Sequence, residues 1–283
     1  MRDGRRPYRV FQSGMEIGFF VVIACGAVVM MLPFLWMICT SFKDLGQAFT
    51  YPPRWIPSPP TLQNFKEVWR LMPFGRYLFN STYIATTSTL AEMLTASLAA
   101  FAFARMRWRG RDVLFLLYLA SLMVPGQVTL IPKFIMMRHA GLVDTYTGLI
   151  LPGCFSAFGT FLLRQFFLTI PRELDEAAMI DGAGWLGIWG KIAIPLSKPA
   201  LATLGLLSFM GSWNSFLWPL VMVARPEMRT LSLAIRGFSS EYGTYWTQMM
   251  AASTIALLPI IILYLTCQKY FVRGITTSGF GGR

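Results

Sequence analysis

Apolar residues run through this chain in blocks far longer than those of a water-soluble fold, separated by short polar intervals rich in arginine and proline. Crossing a hydrocarbon core of roughly 30 Å takes about 20 residues of helix. Six stretches nearly free of charge meet that length: Ile17 to Phe42, Tyr77 to Ala104, Val113 to Pro132, Thr145 to Leu163, Pro199 to Ala224 and Tyr242 to Gln268. Each predicts a transmembrane helix, because a segment in lipid must satisfy its own backbone hydrogen bonds. Pro125, Gly126, Pro132 and Pro152 predict breaks or bends in the third and fourth stretches, and Pro259 predicts a kink in the sixth. The pattern gives an all-α membrane protein with an N-terminal segment 1–16, a six-helix domain 17–268 and a tail 269–283. The Gly, Ser and Thr content of that tail favours disorder.

A patterned polar interval, about 169–198, holds Pro171, Glu173, Leu174, Asp175, Glu176, Ala177, Ala178, Asp181, Gly182 and Ala183. Proline is tolerated in a first helical turn and the carboxylates favour the positive end of a helix dipole, so a short helix is expected from Pro171. Leu174, Ala177, Ala178 and Asp181 fall on one face, and Gly182 can take the positive φ that closes a helix. Trp185, Ile188, Trp189 and Ile192 repeat at helical spacing before Pro195 interrupts them. Spacing alone allows two readings: an amphipathic hairpin lying on the membrane surface, or a low-sided helix on which another protein's cleft closes.

Composition agrees with the membrane reading: 283 residues, 55% hydrophobic and 13% charged, with a mean hydropathy of +0.52. The formal charge of +12 lies in tight clusters beside apolar stretches, not along one face, which argues for membrane orientation and against nucleic acid as a partner. Arg2, Arg5, Arg6 and Arg9 precede the first stretch, Arg105, Arg107, Arg109 and Arg111 follow the second, and Lys269 and Arg273 follow the sixth. Placing these inside gives fourteen Lys and Arg inside and ten outside, with Arg164 at a boundary. Both termini and the 169–198 interval are then cytoplasmic. The first apolar run is too long for a signal peptide and no A-x-A site follows it, so it is expected to remain as an anchor.

Chemistry-bearing residues are few. Glu92 is the one acid well inside an expected span, where it serves either an ion or substrate path or a hydrogen-bonded helix contact. The string Ser212-Trp213-Asn214-Ser215-Phe216-Leu217-Trp218-Pro219 offers an amide and two indoles for a solute, for a neighbouring helix or for the membrane interface. Ala99 to Ala104 supplies small residues for close packing. The interval from Lys43 to Arg76 carries the proline-rich run 51–60, expected to be an extended spacer without helix. No GxxxxGK[ST], HExxH or GxSxG string occurs, His139 is the sole histidine, and the four cysteines lack metal spacing, so neither catalysis nor a resident cofactor or metal is expected.

Glu176-Ala177-Ala178, Asp181-Gly182-Ala183, Ile192, Ile194-Pro195 and Pro199 resemble the EAA loop of permease subunits in binding-protein-dependent ATP-binding-cassette importers. The segments Val124-Pro125-Gly126-Gln127, Gly141 to Thr145 and the Trp213–Pro219 string are similar to the carbohydrate-uptake, maltose-type branch. The resemblance implies a coupling helix at Glu176, Ala177, Ala178, Asp181, Gly182, Ala183 and Pro195. It also implies a second permease, two ATP-binding subunits that hold ATP and Mg, an extracytoplasmic solute-binding protein, a sugar or polyol as cargo, and location in a bacterial inner membrane. The substrate path would include Asn214, Trp213, Trp218 and Glu92. The competing class, an ion-coupled secondary transporter or channel, would place several ionisable groups at mid-membrane.

Overall fold

The structure is a computed structural model that describes the backbone of residues 8–240 and 243–278 and the side chains of 17–239 and 244–268. Arg2, Arg5, Arg6 and the closing residues 279–283 lie outside the described residues, as do the side chains of Arg9, Lys269 and Arg273. By packing, the chain divides into two units. One takes the described residues up to Leu71 with Phe238–Ile255, and the other takes Met72–Gly237 with the described residues from Ala256 onward.

The first unit begins with α1 (Tyr8–Ser41), whose most apolar window has no part buried within the chain. A helix apolar all round and uncovered by protein suits lipid as its surroundings. Two short helices, α2 (Leu45–Ala48) and α3 (Gln63–Leu71), flank the proline-rich run. The run itself is free of helix, as expected, yet it is not a loose spacer. Lys43 donates to the Arg54 carbonyl at 2.6 Å, Gln47 exchanges two hydrogen bonds with the Ser58 backbone, and Trp36 packs edge-on against Trp55. Lys43, only 1% exposed, lies over the Trp36 ring, and burial pushes its ammonium below the usual lysine range.

The second unit is built along α4 (Phe74–Arg105). Ala96, Ala100 and Ala104 form a stripe of small buried side chains, which lets two further helices approach closely. After Gly110, at φ +85°, α5 (Arg111–Ala120) runs into a 3₁₀ turn, and α6 (Leu130–His139) follows only after the Pro125-Gly126 interruption. The third apolar stretch is therefore two helices and not one. Pro132 breaks nothing, because it sits in the first turn of α6 where no N–H is needed. The fourth stretch is α7 (Tyr146–Ile150), a 3₁₀ turn containing Pro152, and α8 (Ala157–Thr169), with a bend of 41°. Thr145 and Ser156 cap the two helices by accepting from the Gly148 and Gly159 N–H groups.

Then come α9 (Glu173–Ile180), α10 (Trp185–Ile188), a π-helical turn Trp189–Ala193, α11 (Ile194–Leu196) and α12 (Lys198–Trp213), which leaves α11 at 81°. Pro195 does not stop the helical path where expected. The wider π turn ahead of it accommodates the ring, and the turn comes at Ser197. Residues 214–216 interrupt the fifth stretch before α13 (Leu217–Met222), and α14 (Leu231–Arg236) follows. A two-residue antiparallel pair, β1 (Ser239–Ser240) and β2 (Gly243–Thr244), precedes α15 (Trp246–Ser278). Pro259 lies within this continuous helix, which extends through tail residues that composition marked for disorder.

Among the described residues, three helices are long and apolar enough to cross a membrane, or up to five if each bent pair is one span. Apolar length alone counted six because it does not register where a proline or a polar run divides a helix. The core of the second unit joins Ala96, Ala100 and Phe101 to Leu163 and Phe167 of α8, Ile188, and Leu204 of α12. At the Phe74 end of α4, Asn80 is fully buried. It donates to the Glu227 and Arg229 carbonyls and accepts from the Tyr146 hydroxyl at 2.6 Å. Asp144, at φ +58°, accepts from the Ala224 and Arg225 N–H groups, donates its own N–H to the Met222 carbonyl, and receives the Arg225 guanidinium on its carbonyl.

Candidate functional site

The 169–198 loop and a cavity beside α4 hold most of the residues singled out in the sequence. In the loop, α9 starts at Glu173, two residues later than Pro171 suggested, with Glu173, Asp175 and Glu176 all in its first turn. It ends in a Schellman arrangement: the Ala183 N–H reaches the Ala178 carbonyl at 2.8 Å and the Gly182 N–H reaches Met179 at 3.0 Å. Gly182 has φ +79°, and a Cβ there would meet nothing within 4 Å, so the backbone angle alone demands glycine.

Glu176, Ala177, Asp181, Gly182 and Pro195 are exposed, and Ala178 and Ala183 are half-buried against the core. The expected shared face is thus divided: Leu174, Ala177 and Asp181 point away, while Ala178 packs inward. Asp175 is the buried residue of α9, a role the sequence did not mark. Its carboxylate lies 3.2 Å from Nε of Arg105, the last residue of α4, and Arg105 also donates to the Ile170 carbonyl at 2.8 Å. Burial pushes the Asp175 carboxyl above the usual range, and the positive charges of Arg105 and Arg172 pull against that shift. Most of the second apolar set faces inward: Ile188 is fully buried, with Trp189 and Ile192 packed on the same core, while Trp185 stays exposed. Arg164, placed at a boundary by the charge pattern, lies over the Phe115 ring, with Asp112 at 3.9 Å. The Arg111 hydrogen bond keeps the Asp112 carboxyl below its ordinary value.

The cavity, of about 740 Å³, opens along α4, α7, α12 and α13. Its wall carries the hydroxyls of Ser81, Ser88, Ser208, Ser212 and Ser215, the amides of Gln127 and Asn214, and the rings of Phe158, Phe216 and Trp218. Glu92 lines it too, with no side-chain hydrogen bond or ion pair among the described residues; the hydrogen-bonded helix contact is not what this geometry provides. Gly159 leaves the room, since a Cβ there would lie 3.2 Å from the Glu92 Oε1. Lys133 of α6 lines the same cavity, so the wall carries a basic group as well as an acidic one.

The two tryptophans of the fifth stretch part company. Trp218 lines the cavity and donates to the Gly148 carbonyl at 3.2 Å. Trp213 does not line it: it is 4% exposed, stacks on Phe209 and donates to the Ala256 carbonyl. A Cβ on Gly148 would fall 2.1 Å from the Leu142 carbonyl and 2.7 Å from the end of the Met222 side chain, so the close approach of α7 to that turn requires glycine.

Comparisons with known proteins cover nearly the whole chain. The family model of binding-protein-dependent transport system inner membrane components matches residues 92–277. The sn-glycerol-3-phosphate transport system permease protein UgpE of Yersinia enterocolitica is 36% identical over 275 residues, 94% of this chain and 98% of that protein. The arabinooligosaccharides transport system permease protein AraQ of Halalkalibacterium halodurans is 34% identical over 95% of this chain and 96% of its own. In the crystal structure of a bacterial ABC transporter involved in import of the acidic polysaccharide alginate, one chain superposes with a TM-score of 0.81 at 26% identity. That match covers 96% of this chain and all of that one.

Proposed function

The chain belongs to the family of binding-protein-dependent transport system inner membrane components, and from that premise we propose how it works as the permease subunit of a sugar-importing ABC transporter. It pairs with a second permease in a bacterial inner membrane, both termini cytoplasmic. Two ATP-binding subunits hold ATP and Mg and perform the hydrolysis, and an extracytoplasmic binding protein delivers the solute. Six crossings result if α5 with α6, α7 with α8, and α12 with α13 each count as one interrupted span. Breaks of this kind are tolerated where backbone lines a cavity.

The observation that carries the reading is α9, an exposed, small-sided helix closed by Gly182 and fixed beneath to the end of α4. A cleft in an ATP-binding subunit can close over Ala177, and nucleotide-driven motion then switches the side to which the cavity opens. The relatives are named for glycerol-3-phosphate, arabinooligosaccharides and alginate, all polyhydroxylated. The serine-rich wall, with Trp218 and Phe216 for stacking, supports a sugar or polyol as cargo. Two ionisable groups on one cavity wall, Glu92 and Lys133, favour the competing reading of ion-coupled transport or a channel. Uptake into vesicles separates the two: the importer requires ATP inside and binding protein outside, and uptake driven by an ion gradient alone overturns it.

A further inference from the structure

We propose that Arg105 and Asp175 are positioning residues that form the strut through which movement of α9 reaches the cavity, an inference that rests on the coupling reading above. Asp175 is the buried residue of α9, so the eight-residue helix grips its own protein chiefly through one carboxylate. The side chains of the pair are only 3% and 8% exposed. Arg105 holds two things at once: the α9 carboxylate and the Ile170 carbonyl at the end of α8. Its planar guanidinium fixes both directions, which a flexible lysine would not do. Arg105 is also the last residue of a continuous helix of 32 residues, and that same helix contributes Ser81, Ile84, Ser88 and Glu92 to the cavity wall. A push on α9 is therefore applied to the end of a lever whose middle forms the solute path.

Stability alone gives little reason for an ion pair here. Taking both charges out of water costs much of what their attraction returns, and well-packed apolar side chains often do as well. What the pair adds is direction. Apolar contacts such as Ala178 on the core let a helix slide, whereas a close ion pair to a guanidinium that is itself hydrogen-bonded to the Ile170 carbonyl holds it at one place.

The experiment uses the complete importer in proteoliposomes, with the four native cysteines replaced and Ser208→Cys placed in the cavity. Labelling by a membrane-impermeant maleimide is compared without nucleotide and with ATP plus vanadate, so the cargo need not be known. Asp175→Asn, nearly isosteric, is expected to keep the ATP-binding subunits bound and hydrolysing while the nucleotide-dependent change in labelling is lost. Asp175→Glu, which keeps the charge, is expected to restore it. Asn at 175 with an undiminished change overturns the strut, and so does loss of the ATP-binding subunits, which would make the pair a docking element. If the parent Ser208→Cys importer shows no nucleotide-dependent change, the coupling reading itself fails.

Discussion

The α9–α11 loop leaves Leu174, Ile180 and Leu186 in the open and buries a carboxylate, whereas the cavity beside α4 gathers serines, amides and a half-buried glutamate around a concave space. Exposed apolar side chains over a rigid support are what a protein partner covers, and polar groups without mutual hydrogen bonds are what a hydrated solute replaces. The two regions share a single helix, α4, yet one is shaped for force and the other for recognition. Changes in the loop should uncouple hydrolysis from uptake without altering which solute is preferred. Changes in the cavity should do the reverse.

The largest effect is expected at Gly182. Proline there cannot reach φ +79° and removes the N–H bonded to Met179, so Gly182→Pro should abolish uptake while ATP hydrolysis by the assembled complex continues. Coupled uptake at the normal rate would break the contrast. Next, Glu92→Gln and Asn214→Ala should shift the solute concentration needed for half-maximal uptake and leave transport per ATP near normal. For Glu92, unchanged uptake would remove the functional reading.

A pH titration should then divide stability from coupling. Because burial raises the Asp175 carboxyl above its unfolded value, the folded chain binds that proton more tightly. This group's contribution to stability therefore grows as pH falls through its folded pKa and diminishes as pH rises again. Protonation also discharges its pair with Arg105, against the neighbouring charges of Arg172 and Glu176. Transport per ATP should accordingly fall with acidification before the ordinary carboxylate range is reached, and Asp175→Asn should remove that step from the profile. The smallest effect is expected at Trp213, where replacement by Phe forfeits the bond to the Ala256 carbonyl. The cost should be about 1 kcal/mol in thermal unfolding, with solute preference unchanged. The same change at Trp218 should alter uptake.

The comparison also explains what could be read from the chain in advance. The end of α9 was legible because a Schellman turn is local: a few residues around one glycine determine it. Glu92, Asn214 and Trp218 were noticed for their types, but nothing nearby in sequence revealed that they share one cavity, or that Trp213 faces elsewhere. Asp175 looked like another first-turn acid because its partner lies at the far end of a different helix, 70 residues earlier in the chain. Lys133 was missed for a related reason, since its place on the cavity wall depends on where the helix breaks near Pro125.

Asp144 binds the turn before α7 to the residues following α13, and Asn80 bonds both Tyr146 of α7 and the backbone beyond α13. Those two short helices thus make a single door leaf hung from α4. Neither helix can be displaced alone without breaking hydrogen bonds to the other's flanking backbone or to Asn80.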